Sequence, residues 1–226
     1  MLKMGAQNIA GLYVGETKIE KAYLGETLVF SAGENPSRLP EGYTEVQYIH
    51  TSGSTGGIST RINGYANTIA IELDVEVEQY NTNYKYLLRN SSGARCFASL
   101  ISEKGIQCGV GSWYNNIYLN SSFIGKRIQF LIDSFNKKVV FGEEETPISS
   151  AGTSSVGTIY VGANNASTFI AVCKWYSVKI YKSGTLDCDF VPCVSPDGVS
   201  GFYDIVRDEF YTRSVGSTTL TPGPAV

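Results

Sequence analysis

One run fixes the fold class. In Ile69-Ala-Ile-Glu-Leu-Asp-Val-Glu-Val77, the apolar Ile69, Ile71, Leu73, Val75 and Val77 alternate with Glu72, Asp74 and Glu76. Successive side chains of a strand point to opposite faces, so this pattern predicts a strand with one face in a core and the other in solvent. Val172-Cys-Lys-Trp-Tyr-Ser-Val-Lys-Ile-Tyr181 alternates in the same sense, which places Trp175 in the core or against a sheet face. Other short runs read as strands, among them Ile58–Ile62, Ile117–Leu119 and Thr185–Val191, while Asn136-Lys-Lys138 reads as a hairpin turn. No ten-residue stretch carries a helical period. Many strands at short spacing predict an all-β sandwich or barrel. The 15 Tyr and 10 Phe suit half-buried pleated surfaces, and the 24 Gly suit the turns between strands.

The first 31 residues contain a repeat. Tyr13-Val-Gly-Glu-Thr-Lys-Ile19 is echoed ten residues later by Tyr23-Leu-Gly-Glu-Thr-Leu-Val29. Each unit reads as strand, Gly-Glu turn, strand, because Gly15 and Gly25 can supply the positive φ of a tight hairpin. The expectation is a three-stranded meander, Ile9–Val14, Lys18–Leu24 and Thr27–Ser31, with too little core to stand alone. The Gly- and Pro-bearing segment 32–42 reads as a linker, and 43–226 as the main domain.

Composition removes several function classes. The net charge of −3 and the lack of a basic stripe argue against a nucleic-acid partner. No apolar run reaches the roughly 18 residues needed to span a membrane, and the N-terminal stretch has no signal-peptide pattern. The five cysteines, Cys96, Cys108, Cys173, Cys188 and Cys193, match no zinc spacing, and they read as buried, reduced thiols. His50 is the single histidine, which leaves little room for Ser-His-Asp or Cys-His catalysis.

Several segments carry a family resemblance. Val178-Lys-Ile-Tyr-Lys-Ser-Gly-Thr-Leu-Asp-Cys-Asp-Phe-Val-Pro-Cys193, Pro196-Asp-Gly-Val-Ser-Gly-Phe-Tyr-Asp204, Phe210-Tyr-Thr212 with Gly216-Ser-Thr, and the opening Leu39-Pro-Glu-Gly-Tyr-Thr-Glu-Val-Gln-Tyr-Ile49 resemble signatures of concanavalin A-like, laminin-G-type domains. These occur in structural proteins of phages and prophages of gut Firmicutes. The Gln and Tyr usual after the Ser-Thr-Gly step of that pattern are replaced here by Thr51-Ser-Gly-Ser-Thr-Gly-Gly57. The Tyr-x-Gly-Glu-Thr repeat is similar to short segments that open phage head or tail appendage proteins. The resemblance implies an antiparallel jelly-roll β-sandwich over residues 43–226. Within it, Phe190 and Pro192 are expected to end the last long strand, and Tyr203-Asp204 to dock the tail of the chain.

For function, the resemblance implies a virion surface protein, a head decoration or tail appendage made in the host cytoplasm, rather than an enzyme. Residues 1–31 are expected to attach it to other phage structural proteins, through Tyr13, Val14, Ile19, Tyr23, Leu24, Val29 and Phe30. The expected partner of the sandwich is a cell-surface or mucosal carbohydrate. Aromatic faces stack on sugar C–H surfaces and amides bond hydroxyls, so the candidate contacts are Trp113, Tyr114, Asn115, Asn116 and Tyr118, with Asn164 and Asn165 from a nearby loop. A hairpin with a packed Trp is the plainer reading of the same stretch. Homotrimers suit such appendages, although no heptad specifies one.

The alternative is a glycoside hydrolase. Retaining glucanases of this fold carry a similar Glu-x-Asp-x-Glu strand, which makes Glu72 the candidate nucleophile, Asp74 the orienting residue and Glu76 the acid and base. That chemistry needs two carboxylates about 5–5.5 Å apart. Glu78 continues the same row, as an ordinary polar face would, and no catalytic residue is assigned. Related sandwiches bind calcium through loop oxygens, which singles out Asp197, Asp204, Asp208, Asn164 and Asn165. Ordinary turn roles account for these residues too, and no EF-hand spacing occurs, so the expectation is no cofactor.

Overall fold

The structure is a computed structural model. It describes the backbone of six short strands within residues 3–31, and residues 38–226 apart from 53–54, 82–83, 92–94 and 163–168; side chains are described from Arg38 onward, except those of 84, 85 and 169. The chain divides into two compact units, Met1–Pro40 and Glu41–Val226. Residues 32–37 of the expected linker lie outside the described residues.

In the first unit the strands form three separate two-stranded ladders rather than one meander. Lys3–Met4 pairs with Gln7–Asn8, Leu12–Val14 with Thr17–Ile19, and Lys21–Leu24 with Thr27–Ser31. Each ten-residue repeat closes on itself, Tyr13 opposite Lys18 and Tyr23 opposite Leu28. The expected middle strand, Lys18–Leu24, is therefore divided between two ladders.

The second unit is a sandwich of two sheets, with no helix among the described residues. The alternating strand Ile69–Val77 lies inside the first sheet. It is flanked by Arg127–Asp133 on one side and Val172–Lys182 on the other. Beyond Arg127–Asp133 lie Lys138–Phe141 and the edge strand Glu144–Pro147. Val172–Lys182 is long enough to take two neighbours: Ile49–Ser52 along its first half and Thr185–Val194 along its second. Ser200–Asp204 and Glu209–Tyr211 complete that side.

The second sheet runs Trp113–Tyr118, Gly105–Gly111, Arg95–Leu100, Tyr84–Asn90, Ile159–Gly162, Gly56–Ser59, Val215–Gly216. All its pairings are antiparallel except that of Phe169–Ile170 with Tyr84–Asn90. Ile71, Leu73 and Val75 of the first sheet and Leu88, Ala98, Cys108 and Val110 of the second are fully buried in one continuous core. All five cysteines are free and buried, and Cys96, Cys108, Cys173 and Cys188 lie in that core. Burial pushes the thiols of Cys96 and Cys108 up to about 12.

Two expectations need correction. Thr185–Val194 does not end at Phe190 or Pro192 but runs on to Val194, with Pro192 opposite Phe202. Proline lacks only an N–H; the Pro192 carbonyl still accepts from Val46 N at 3.0 Å, so the strand keeps a partner on that side. The signature residue Asp204 also does more than dock a tail. It is fully buried, and its Oδ1 accepts both Asp189 N and Val206 N at 3.0 Å, tying two strands to the turn that follows.

Candidate functional site

The two sheets present outer faces of different chemistry. The strands of the first sheet carry carboxylates throughout, from Glu45 to Glu209, whereas those of the second contain Lys85, Arg89 and Arg95 as their only charged residues.

On the first sheet, Glu72, Asp74 and Glu76 share the outer face, as their spacing predicts. All three meet other side chains. Arg127 grips Asp74 through two hydrogen bonds, Nε to Oδ1 at 2.7 Å and Nη2 to Oδ2 at 2.8 Å. Its guanidinium also lies 4.0 Å from the Tyr176 ring centre. Glu76 accepts from Lys174 Nζ at 2.8 Å and from Tyr176 OH at 3.0 Å. The hydrogen bond from Lys174 holds the Glu76 carboxyl below its ordinary range; partial burial opposes this and Tyr176 reinforces it. Glu72 is met by Tyr181 OH at 3.5 Å. His50, half-buried in Ile49–Ser52, bonds Glu78 at 2.8 Å, and both border a hollow of about 280 Å³ with Tyr48 and Lys174. This face is a lattice of opposite charges. A general acid must stay protonated near its working pH, whereas Lys174 holds Glu76 ionised.

On the second sheet, cross-strand register gathers residues that lie far apart in the chain. Tyr114 stands opposite Gly109, and Gly109 opposite Phe97. One row along, Asn116 faces Gln107, Gln107 faces Ser99, and Ser99 faces Tyr86. Tyr118 faces Gly105. These residues point away from the core because their chain neighbours Cys96, Ala98, Cys108 and Val110 point into it.

The glycines let the rings lie down on the sheet. A Cβ at Gly109 would sit 2.7 Å from Phe97 Cε1, and one at Gly105 2.7 Å from the Tyr118 ring. Gln107 Nε2 donates to Asn116 Oδ1 at 3.1 Å, which orders a pair of amides between the rings. Arg95 lies 5.0 Å over Tyr114, and Arg89 4.8 Å over Tyr86. Past the Tyr118 end, Tyr80, Ser102, Glu103 and Lys104 border a hollow of about 470 Å³.

Among the expected carbohydrate contacts, Tyr114 and Tyr118 are 58 % and 57 % exposed, and Asn115 and Asn116 are exposed beside them. Trp113 is corrected: at 9 % exposure it packs in the core, so its face is not offered to a ligand. The reason is parity, since Trp113 and Ile117 share the inward side of Trp113–Tyr118 while Tyr114, Asn116 and Tyr118 take the other. Asn115 has the inward parity too, but the strand is at the sheet edge and the side chain reaches solvent. Asn164 and Asn165 lie outside the described residues.

Tyr86, Phe97, Gln107 and Arg95 were not expected there; they join through register, which the sequence does not display. Of the expected attachment residues, Tyr13, Val14, Ile19, Tyr23, Leu24, Val29 and Phe30 all lie on described strands, without described side chains. Among the described calcium candidates, Asp208 accepts the Tyr203 hydroxyl and Asp204 caps backbone amides. No three His, Cys, Asp or Glu side chains among the described residues could hold a metal together. No protein-family model matches the chain, and no curated protein matches it.

Proposed function

We propose that this protein is a structural component of a bacteriophage particle, and that its sandwich binds carbohydrate through the outer face of the second sheet. The observation that carries the binding reading is the set Tyr86, Phe97, Tyr114 and Tyr118 with the Gln107–Asn116 amide pair between them. Rings lying along a sheet suit the C–H faces of successive sugars, and ordered amides suit paired hydroxyls. An open, shallow face of this kind suits weak single sites, which multivalent display on a particle converts into firm attachment. The particle assignment is supported by the resemblance of Val178–Cys193 and Pro196–Asp204 to phage structural proteins. The short ladders of residues 3–31 suit attachment by strand addition to a neighbouring subunit.

The test is retention of the full-length protein on an array of bacterial and mucosal glycans. Wild type is retained, and a Tyr114→Ala/Tyr118→Ala variant with unchanged thermal unfolding is not. Trp113→Ala is unsuitable, because removing a core side chain disturbs folding itself. No retention of the wild type would overturn the binding reading. Absence of the protein from purified particles by mass spectrometry would overturn the particle assignment.

A further inference from the structure

We infer that the carbohydrate taken by the second sheet is anionic, a polysaccharide bearing carboxylate or phosphate groups, and that Arg95 pairs with its charges while the rings carry its sugars. This rests on the carbohydrate reading of the same face.

The argument begins with segregation of charge. The whole chain is net −3, yet the strands of the second sheet contain no carboxylate. Acidic residues are common in the other sheet, so the outer face of the second is cationic on a protein that is acidic overall. Such a face attracts anions. The position of the arginines is the second point. Arg95 is exposed and sits over Tyr114, and among the described residues no carboxylate forms an ion pair with it. The planar fork of a guanidinium is the geometry that grips a carboxylate or phosphate through two hydrogen bonds. On the adjacent strand Arg89 likewise lies over a ring, that of Tyr86. Rings, a single amide pair and guanidinium groups therefore lie across adjacent strands, as a polymer carrying both sugars and charges would need. Glu103 stands at the Tyr118 end, so the charged groups of the ligand belong at the Tyr114 and Tyr86 end. Single-stranded nucleic acid shares the taste for rings and arginines. It is disfavoured because it presents a phosphate at every residue, whereas this face carries few cations.

The experiment measures binding of the full-length protein to immobilised polygalacturonate and hyaluronate, to neutral dextran and laminarin, and to an oligothymidylate. The expected result is retention on the acidic polysaccharides, falling as salt rises from about 0.05 M to about 0.5 M through screening. Arg95→Gln, with unchanged thermal unfolding, should weaken this by about tenfold, the scale of one charge-assisted hydrogen bond, and Arg95→Lys by less. Equal retention on neutral and acidic polymers without a salt effect would overturn the anionic inference and leave the carbohydrate reading standing. Retention on neither would overturn both. Tighter binding of the oligothymidylate would overturn the inference in favour of nucleic acid. Salt-sensitive binding that Arg95→Gln and Tyr114→Ala both leave unchanged would overturn the assignment to this face.

Discussion

The indole N–H of Trp175 donates to Thr51 Oγ1 at 3.1 Å, inside the core, where both residues are fully buried. The same hydroxyl donates to Ala171 O at 2.7 Å, so one side-chain oxygen ties the indole to the residue that precedes its strand. Thr51→Val keeps the shape and deletes the oxygen, leaving a buried indole N–H and a buried carbonyl without that partner. The expected loss is about 1–3 kcal/mol in denaturant unfolding. Thr51→Ser, which keeps the hydroxyl and loses one methyl, should cost about 1 kcal/mol. Equal losses for the two variants would remove the hydrogen bonds as the cause.

Gly111 and Gly125 both take positive φ, at +62° and +71°, but only one is crowded. A Cβ at Gly111 would lie 1.5 Å from Ala151 O, whereas one at Gly125 would meet nothing within 4 Å. Gly125→Ala should therefore cost only the left-handed conformation, about 1–2 kcal/mol. Gly111→Ala must also shift the 151 backbone or open the turn into Trp113–Tyr118, so it should lose several times more stability or fail to fold. Comparable melting temperatures for the two variants would show that the 151 segment yields freely.

How far the sequence displayed this molecule depends on the distance over which each feature is decided. Ile69–Val77 was plain, because its inward and outward sides alternate without a break. Val172–Lys182 was visible as a strand, but the register shift opposite Asp74 and Val75 was not. That irregularity changes the parity by one residue, and it is part of why Tyr176 comes onto the charged face beside Glu76. The C-terminal strand Leu220–Pro222 escaped notice because it pairs with Ile49–Ser52, at the other end of the domain. For Trp113 the plainer reading of a packed side chain holds, and the signal is local: Trp113 and Ile117 are the apolar residues of one parity, and Tyr114 and Tyr118 share the other. The aromatic face as a whole was not legible, since Tyr86, Phe97 and Tyr114 meet only once three strands are in register.

The pair Lys174–Glu76 should leave a signature in pH. Its hydrogen bond with Lys174 depresses the Glu76 carboxyl below the usual 4.5, and the same bond raises the Lys174 ammonium above its usual 10.5. A depressed acid stabilises the fold fully above its unfolded pKa, and the contribution fades as pH falls through the folded one. A raised amine stabilises fully below its unfolded pKa, and the contribution fades as pH climbs past it. The stabilising window is therefore from about pH 4.5 to about pH 10.5. Lys174→Met should lower the melting temperature by a few degrees at most across that window, because both groups are partly exposed. The gap from wild type should close as pH falls through the lowered pKa of Glu76. A gap that persists unchanged once Glu76 is protonated would mean that the loss of the lysine side chain beside Tyr48, and not of its charge, is what matters.

The acidic row also bears on chemistry. A retaining hydrolase needs one carboxylate free to attack and a second that is protonated when the sugar oxygen leaves. Asp74 is clamped by Arg127, and Glu76, the residue in the acid position, is held as a carboxylate by Lys174 and Tyr176. No release of reducing sugar from a panel of β-glucans is the expected outcome for the wild type. The informative variant is Lys174→Met, which frees Glu76 to titrate near its ordinary range. If the row were a catalytic site restrained only by that lysine, the variant would gain activity around pH 5, and Glu72→Gln in the same background would abolish it. Activity of the wild type that Glu72→Gln removes would overturn the adhesive reading in favour of the hydrolase. Silence from all three proteins, with each still folded, would leave the acidic row as the solvent-facing charge lattice that its hydrogen bonds describe.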